Sequence, residues 1–211
     1  MDLSNYFKIK NEIPSNVNIL AVSKGFKSQE IKTIQNMGQN DFGESKFQEA
    51  FEKQLILKDF KQIKWHFIGR IQSNKIRKIV QNFKYIHSVD SFEKLQKISM
   101  ISFEEKKNPS IMLQVKLSDD PTKGGFNPEL LVTQWREIKQ LKNITLKGLM
   151  TINPKELSSK ENLNLFKKCR ALSDSLQLPD CSMGMSGDWE EAIEAGSTWL
   201  RLGSIIFGDR G

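Results

Sequence analysis

Short apolar runs alternate with longer stretches in which apolar residues return every three or four positions. The runs have the length of buried strands, and the stretches between them have the period of amphipathic helices. Ile19-Leu20-Ala21-Val22 is the first strand; Ser28 then reads as a helix N-cap, Ile31, Ile34 and Met37 form the apolar stripe, and Gly38 ends it. Asp41-Phe42-Gly43 predicts a second strand, with a helix through Phe47, Phe51 and Leu55. Trp65-His66-Phe67-Ile68 is a third, with a helix through Ile76, Ile79 and Val80. Tyr85-Ile86-His87-Ser88-Val89 is a fourth, with a helix from Ser91 through Leu95 and Ile98. Ile111-Met112-Leu113-Gln114-Val115 is a fifth, and Pro128 opens the helix carrying Leu131 and Trp135. Leu146-Lys147-Gly148-Leu149-Met150, Cys181-Ser182-Met183 and Trp199-Leu200-Arg201-Leu202 complete the set. Helices through Phe166 and Ala192 separate these last three.

Eight strands alternating with eight helices predict an α/β protein with a parallel sheet, and eight is the number that closes a (β/α)₈ TIM barrel. An open doubly wound sheet would call for a glycine-rich dinucleotide turn after its first strand. The turn here, Lys24-Gly25-Phe26, lacks that fingerprint. With no Ser/Gly/Pro-rich linker, residues 1–211 read as a single domain, and residues 1–14 as an N-terminal covering helix.

The composition is that of an ordinary globular protein, with 38% hydrophobic and 27% charged residues, which argues against disorder. No apolar run reaches the roughly 20 residues of a membrane helix, and Met1-Asp2-Leu3-Ser4-Asn5-Tyr6 has no signal-peptide core. The only cysteines, Cys169 and Cys181, fit no metal-ligand spacing. A reduced, cytoplasmic compartment and no membrane partner are the expectation. The net charge of +7 is spread along the chain. Its densest stretch, Lys75-Ile76-Arg77-Lys78, reads as a solvated helix face, so no nucleic-acid partner is expected. His66 and His87, the only histidines, sit in strands beside aromatic residues without acidic or cysteine partners at ligand spacing, and no metal is expected.

Barrel sites form where strands end at the C-terminal face. Those ends carry Lys24, Glu44-Ser45, His66 to Gly69, Ser88, Lys116, Met150-Thr151, Gly184 to Gly187 and Gly203-Ser204. A lysine at a strand mouth, with its charged form disfavoured by desolvation, supplies an amine for Schiff-base chemistry. On this residue alone the favoured reading is a surface lysine snorkelling to water, and it is the turns after the last two strands that shift the balance. Gly184-Met185-Ser186-Gly187 and Gly203-Ser204, each leading into a helix, match the phosphate-cradling turns after the last two strands of many barrels. Each is otherwise a tight turn with a capping serine. Arg201, charged within a strand, is either a guanidinium facing a cofactor ring nitrogen or half of a structural ion pair.

The segments Ala21-Val22-Ser23-Lys24, Asp41-Phe42-Gly43-Glu44, Trp65-His66-Phe67-Ile68-Gly69, Gln72-Ser73-Asn74-Lys75, Lys147-Gly148-Leu149-Met150, Ser182-Met183-Gly184-Met185-Ser186 and Arg201-Leu202-Gly203-Ser204 together carry a resemblance. The chain resembles the pyridoxal phosphate homeostasis proteins, whose fold-type III barrel is similar to the N-terminal domain of alanine racemase. The resemblance implies pyridoxal 5′-phosphate as cofactor, with Lys24 as its Schiff-base (internal aldimine) lysine. It implies phosphate contacts from Ser186, Gly203 and Ser204, Arg201 opposite the pyridine nitrogen, and a pocket lined by His66, Ile68 and Met150. Ser45 stands where the family often has the asparagine of a Gly-Glu-Asn run, and Gly25-Phe26 replaces the commoner Thr-Lys pair. The implied role is a monomer that holds the cofactor for vitamin B6 and amino/keto-acid homeostasis with little or no catalysis, and so no catalytic residue. Amino acids are expected as exchangeable partners, as external aldimines.

The alternative is an amino-acid racemase, which needs a second acid/base on the opposite cofactor face. In alanine racemase a second domain supplies a tyrosine for this. Here the only tyrosines are Tyr6 and Tyr85, the latter at the wrong end of its strand. A third reading is a barrel enzyme for another phosphorylated metabolite, with Lys24 as nucleophile.

Overall fold

The computed structural model describes residues 3–118, 120 and 124–208. Its eight strands are β1 (Asn18–Val22), β2 (Asp41–Glu44), β3 (Lys64–Phe67), β4 (Tyr85–Val89), β5 (Ser110–Gln114), β6 (Thr145–Met150), β7 (Asp180–Ser182) and β8 (Trp199–Leu202). All pair in parallel and in chain order, and β8 returns to β1 through the register Asn18↔Trp199 to Ala21↔Leu202. The sheet closes into a (β/α)₈ barrel with no free edge.

Several strands begin one residue earlier than the apolar pattern predicts, at Asn18, Lys64, Ser110, Thr145 and Asp180. Periodicity reports burial, whereas a ladder can start on a polar residue at the barrel rim; Asp41 pairs in register with Lys64 in this way. At the other end, Ile68, Val115 and Met183 lie just beyond the strands that were expected to include them.

The helices are α1 (Leu3–Glu12), α2 (Ser28–Asn36), α3 (Phe47–Ile56), α4 (Ile76–Asn82), α5 (Phe92–Glu104), α6 (Pro128–Ile138), α7 (Ser159–Ser175), α8 (Trp189–Glu194) and α9 (Ser204–Phe207). Ser91 caps α5, and Asn127 caps α6 with its side-chain oxygen accepting from the Glu129 and Leu130 amides, Pro128 following at the first helical position. The N-cap of α2 is Lys27 rather than Ser28, because the Glu30 carboxylate reaches back to the Lys27 amide at 2.5 Å.

In α3 the stripe Phe47, Phe51 and Leu55 is not the buried face. Leu55 is 56% exposed, and the helix buries Ala50 and Lys53 instead. The remaining helices lay Ile31, Ile34, Leu95, Ile98, Leu131, Phe166 and Ala192 against the outside of the barrel, and α1 packs against α9.

Gly148 on β6 is paired with Asp180 on β7 at such close range that a Cβ at Gly148 would lie 2.0 Å from the Asp180 carbonyl oxygen. Gly148→Ala therefore has to spread two ladder strands. The expected loss is about 1–3 kcal/mol or more of unfolding free energy, read by chemical denaturation.

Candidate functional site

A cavity of about 560 Å³ opens at the C-terminal ends of β1, β3, β6 and β8. Its wall includes Val22, Lys24, Phe26, Ile68, Met150, Ile152, Met185, Ser186, Arg201, Gly203 and Ser204. Seven residues expected at the site meet there: Lys24, Ile68, Met150, Ser186, Arg201, Gly203 and Ser204.

Lys24 sits on the turn that follows β1, where Gly25 takes a φ of +81° that suits glycine. A buried ionic cluster holds this turn from behind. Lys53 Nζ, from α3, donates to the Ser23 carbonyl, to Glu44 Oε1 and to Glu49 Oε1, each at 2.7 Å. The Ser23 hydroxyl donates to the same Glu44 oxygen at 2.7 Å, and the Gly25 amide donates to Glu49 Oε1 at 2.5 Å. Both residues flanking Lys24 are thereby tied to α3 and β2. Burial pushes the Glu44 carboxyl up, against the pull of Lys53 and Ser23. For Glu49, burial is outweighed by Lys53 and the Gly25 amide, and its carboxyl is held down.

Lys53 and Glu49 were not among the residues singled out from the sequence. Their i,i+4 spacing on the helix after the second strand was the available signal.

At the end of β8, which pairs with β1, the two serine turns converge. The Ser186 hydroxyl oxygen accepts from the Gly203 and Ile205 amides, both at 3.4 Å. These are long bonds, so two backbone N–H groups aim at one point with donor capacity to spare. The first turn is set by Gly184, whose φ is +92° and where a Cβ would lie 2.5 Å from the Ala192 Cβ. Asp188 fixes its far end by accepting from the Met185 amide at 2.6 Å. Burial raises the Asp188 carboxyl, while the Met185 amide and Arg201 act against the rise.

Arg201 points inward from β8 and is 4% exposed. One terminal nitrogen donates to the Ser182 carbonyl at 2.5 Å and to the Ser182 hydroxyl at 3.0 Å, and the other donates to the Thr151 carbonyl at 2.8 Å. Its acceptors among the described residues are carbonyls and a hydroxyl rather than a carboxylate, so the ion-pair reading does not hold. Burial pushes the guanidinium down to about 10, which still leaves it a cation at neutral pH.

Two expected residues lie elsewhere. His66 does not line the cavity. It is on the inward face of β3 with Ile68 but two residues below it, one layer deeper in the barrel. There it stacks on Tyr85 at 4.2 Å and bonds His87 and Asp41. Ser45 is also off the wall; its carbonyl lies beneath Gly69, where a Cβ would come within 1.9 Å of it. Burial lowers His66 despite Asp41, and burial followed by His66 and Arg201 puts His87 well below the ordinary imidazole value.

This is the barrel of the alanine racemase N-terminal domain, the family that matches residues 3–211. The chain is 43% identical to a pyridoxal phosphate homeostasis protein of Synechocystis over 97% of both chains, and 39% identical to that of Pseudomonas aeruginosa over 93% of this chain and 86% of that one. It belongs to the pyridoxal phosphate homeostasis protein family. Among solved structures it is similar to PipY of Synechococcus elongatus with PLP bound, with a TM-score of 0.94, 37% identity and coverage of 98% and 99% of the two chains. A Clostridium difficile alanine racemase shares the fold, with a TM-score of 0.80 at 18% identity, and this chain covers 55% of it. No helix among the described residues is long and apolar enough to cross a membrane.

Both histidines are neutral when folded, so between their lowered values and about 6.5 the unfolded chain binds more protons. Stability should rise with pH across that window, by up to about 1.4 kcal/mol per pH unit for each histidine. Glu44, shifted up, works in the opposite sense above its ordinary value. Denaturant unfolding from pH 5 to 7 should show a shallower rise in His87→Gln; an unchanged slope would contradict the neutral buried imidazole.

Proposed function

We propose that the cavity holds pyridoxal 5′-phosphate, with Lys24 as the amine that takes its aldehyde, and that the protein carries and buffers this cofactor rather than catalysing a reaction on it. One observation carries the reading: Lys24, the buried guanidinium of Arg201 and the serine turns at Ser186 and Ser204 share one cavity wall. The volume suits a ligand of that size. The homeostasis proteins named above and PLP-bound PipY support the same assignment.

Each residue then has a distinct task. The Gly203 and Ile205 amides, with the hydroxyls of Ser186 and Ser204, are the phosphate donors, and they need no cationic clamp. Val22, Ile68, Met150 and Ile152 give apolar wall that excludes water. Lys53, through the Ser23 carbonyl and Glu49, holds the Lys24 turn in place. When bound, the cofactor supplies an aldehyde that condenses with amines and a ring that withdraws electrons. Arg201 is assigned to the ring nitrogen, where a permanent cation disfavours protonation and so weakens that withdrawal.

The lining also bears on racemisation. Among the described wall residues the titratable side chains are Lys24 and Arg201. Tyr6 is buried in α1, and Tyr85 borders a different cavity with His87 and Trp199. A two-base reaction lacks its second base here. Amino acids are accordingly proposed as exchanging partners of the cofactor without turnover, and the closed, edgeless barrel fits a monomer.

Borohydride treatment of the cofactor-loaded protein should fix the label on Lys24 by peptide mapping; a different labelled lysine would overturn the assignment. Ser186→Ala and Ser204→Ala should each weaken retention by about 1.5–3 kcal/mol, measured by transfer to a competing apoenzyme, since each removes one bond to a charged acceptor while the amides remain. With L- and D-amino acids, chiral analysis should find no sustained turnover. Rates on the order of 1 s⁻¹ would restore the racemase reading.

A further inference from the structure

Below the cavity, the interior of the barrel contains an unbroken file of polar side chains. Arg201 donates to the Ser182 hydroxyl oxygen at 3.0 Å. Ser182 Oγ lies 3.0 Å from His87 Nδ1, His87 Nε2 lies 2.9 Å from His66 Nδ1, and His66 Nε2 lies 3.0 Å from Asp41 Oδ1. Arg201 lines the upper cavity. Asp41 starts β2 at the opposite rim, with its side chain 20% exposed and Lys64 at 3.8 Å. His87 borders a separate cavity of about 190 Å³ at that lower end, together with Tyr85, Lys147, Asp180 and Trp199.

Chemistry allows only one direction of donation along this file. An ionised Asp41 accepts, so His66 carries its proton on Nε2 and leaves Nδ1 bare. His87 must then donate through Nε2, which leaves its own Nδ1 bare, and the Ser182 hydroxyl donates to it. The Ser182 oxygen keeps lone pairs for the Arg201 guanidinium. The reverse order would set a bare His66 Nε2 against a carboxylate and would leave the Ser182 hydroxyl proton without this acceptor. Burial agrees, since both imidazoles are fully buried and held neutral.

We propose that Asp41, His66, His87 and Ser182 are positioning residues: a one-way hydrogen-bond chain that starts at the Arg201 guanidinium and ends at a carboxylate on the far rim, and that fixes how Arg201 is presented to the cavity. The significance for the cofactor rests on the function proposed above; the chain itself does not. The chain also assigns the structural role of His66, which lies one layer too deep to touch a ligand. A change at Asp41, at the opposite end of the barrel, should be felt at Arg201 because chained hydrogen bonds polarise and orient one another.

The test uses uniformly ¹⁵N-labelled full-length protein without cofactor. Long-range ¹H–¹⁵N spectra should show both imidazoles as single Nε2–H tautomers, and this measurement on the unaltered protein needs no variant to fold. Asp41→Ala should mix the tautomers and move the Arg201 side-chain nitrogen resonances. Asp41→Asn, which keeps an acceptor oxygen, should hold both near their original values. In the loaded protein, Asp41→Ala should speed release of pyridoxal 5′-phosphate by about three- to tenfold, as expected for the loss of one net hydrogen bond. An Nδ1–H tautomer at either histidine, or Arg201 resonances indifferent to Asp41→Ala, would overturn the chain. Failure to bind the cofactor would instead count against the function and leave the tautomer result standing.

Discussion

A guanidinium buried inside a barrel is the constraint around which this molecule is arranged. Removing Arg201 from water is costly, and the described structure offers it no bonded carboxylate in return. It is accommodated by oxygens at the ends of neighbouring strands: the carbonyl and hydroxyl of Ser182, the last residue of β7, and the Thr151 carbonyl after β6. Those strand ends must therefore stop where they do. The turn at Gly184 and Asp188 follows directly from the first of them, and the meeting of the Gly203 and Ile205 amides at Ser186 follows from that turn. The positive charge that shapes the barrel mouth is also the charge that the cavity presents.

A second buried charge group works differently. Lys53 is balanced by Glu44 and Glu49 and gives its remaining bond to the Ser23 carbonyl, beside the Lys24 turn. Loss of the lysine would leave two carboxylates close together with little water, a larger disturbance than losing a surface pair. The cluster explains why α3 buries a lysine and exposes Leu55. The helix is anchored through charge where its neighbours are anchored through isoleucine and leucine.

The barrel was legible in the chain because eight apolar runs and the stripes between them are properties of composition at fixed spacing. Five strand beginnings were not legible, because residues such as Asn18, Lys64 and Thr145 join the ladder through backbone bonds that leave no mark on hydrophobicity. The same contrast holds at the site. Lys24, Ser186, Gly203 and Ser204 could be found because they lie at strand ends, where barrels place their chemistry. His66, which the resemblance puts in the pocket lining, is absent from the cavity wall, since membership of a strand beside aromatic residues does not tell a core position from a lining one. Ser45 shares a strand end with the cavity, but its backbone is taken up by Gly69. Lys53 was missed because a helix stripe of Phe47, Phe51 and Leu55 looked sufficient by itself.

Closure between β1 and β8 has a consequence for the order of synthesis. Lys24 follows the first strand and Gly203 and Ser204 follow the last, yet they share one cavity wall. A chain emerging from the ribosome possesses Lys24 early, and Arg201, Gly203 and Ser204 only when β8 has been made. The cavity wall is thus complete only when the ring is. A chain that stopped before its final strand would keep β1 and Lys24 while losing Arg201, the Gly203 and Ile205 amides and the β8 side of the seam.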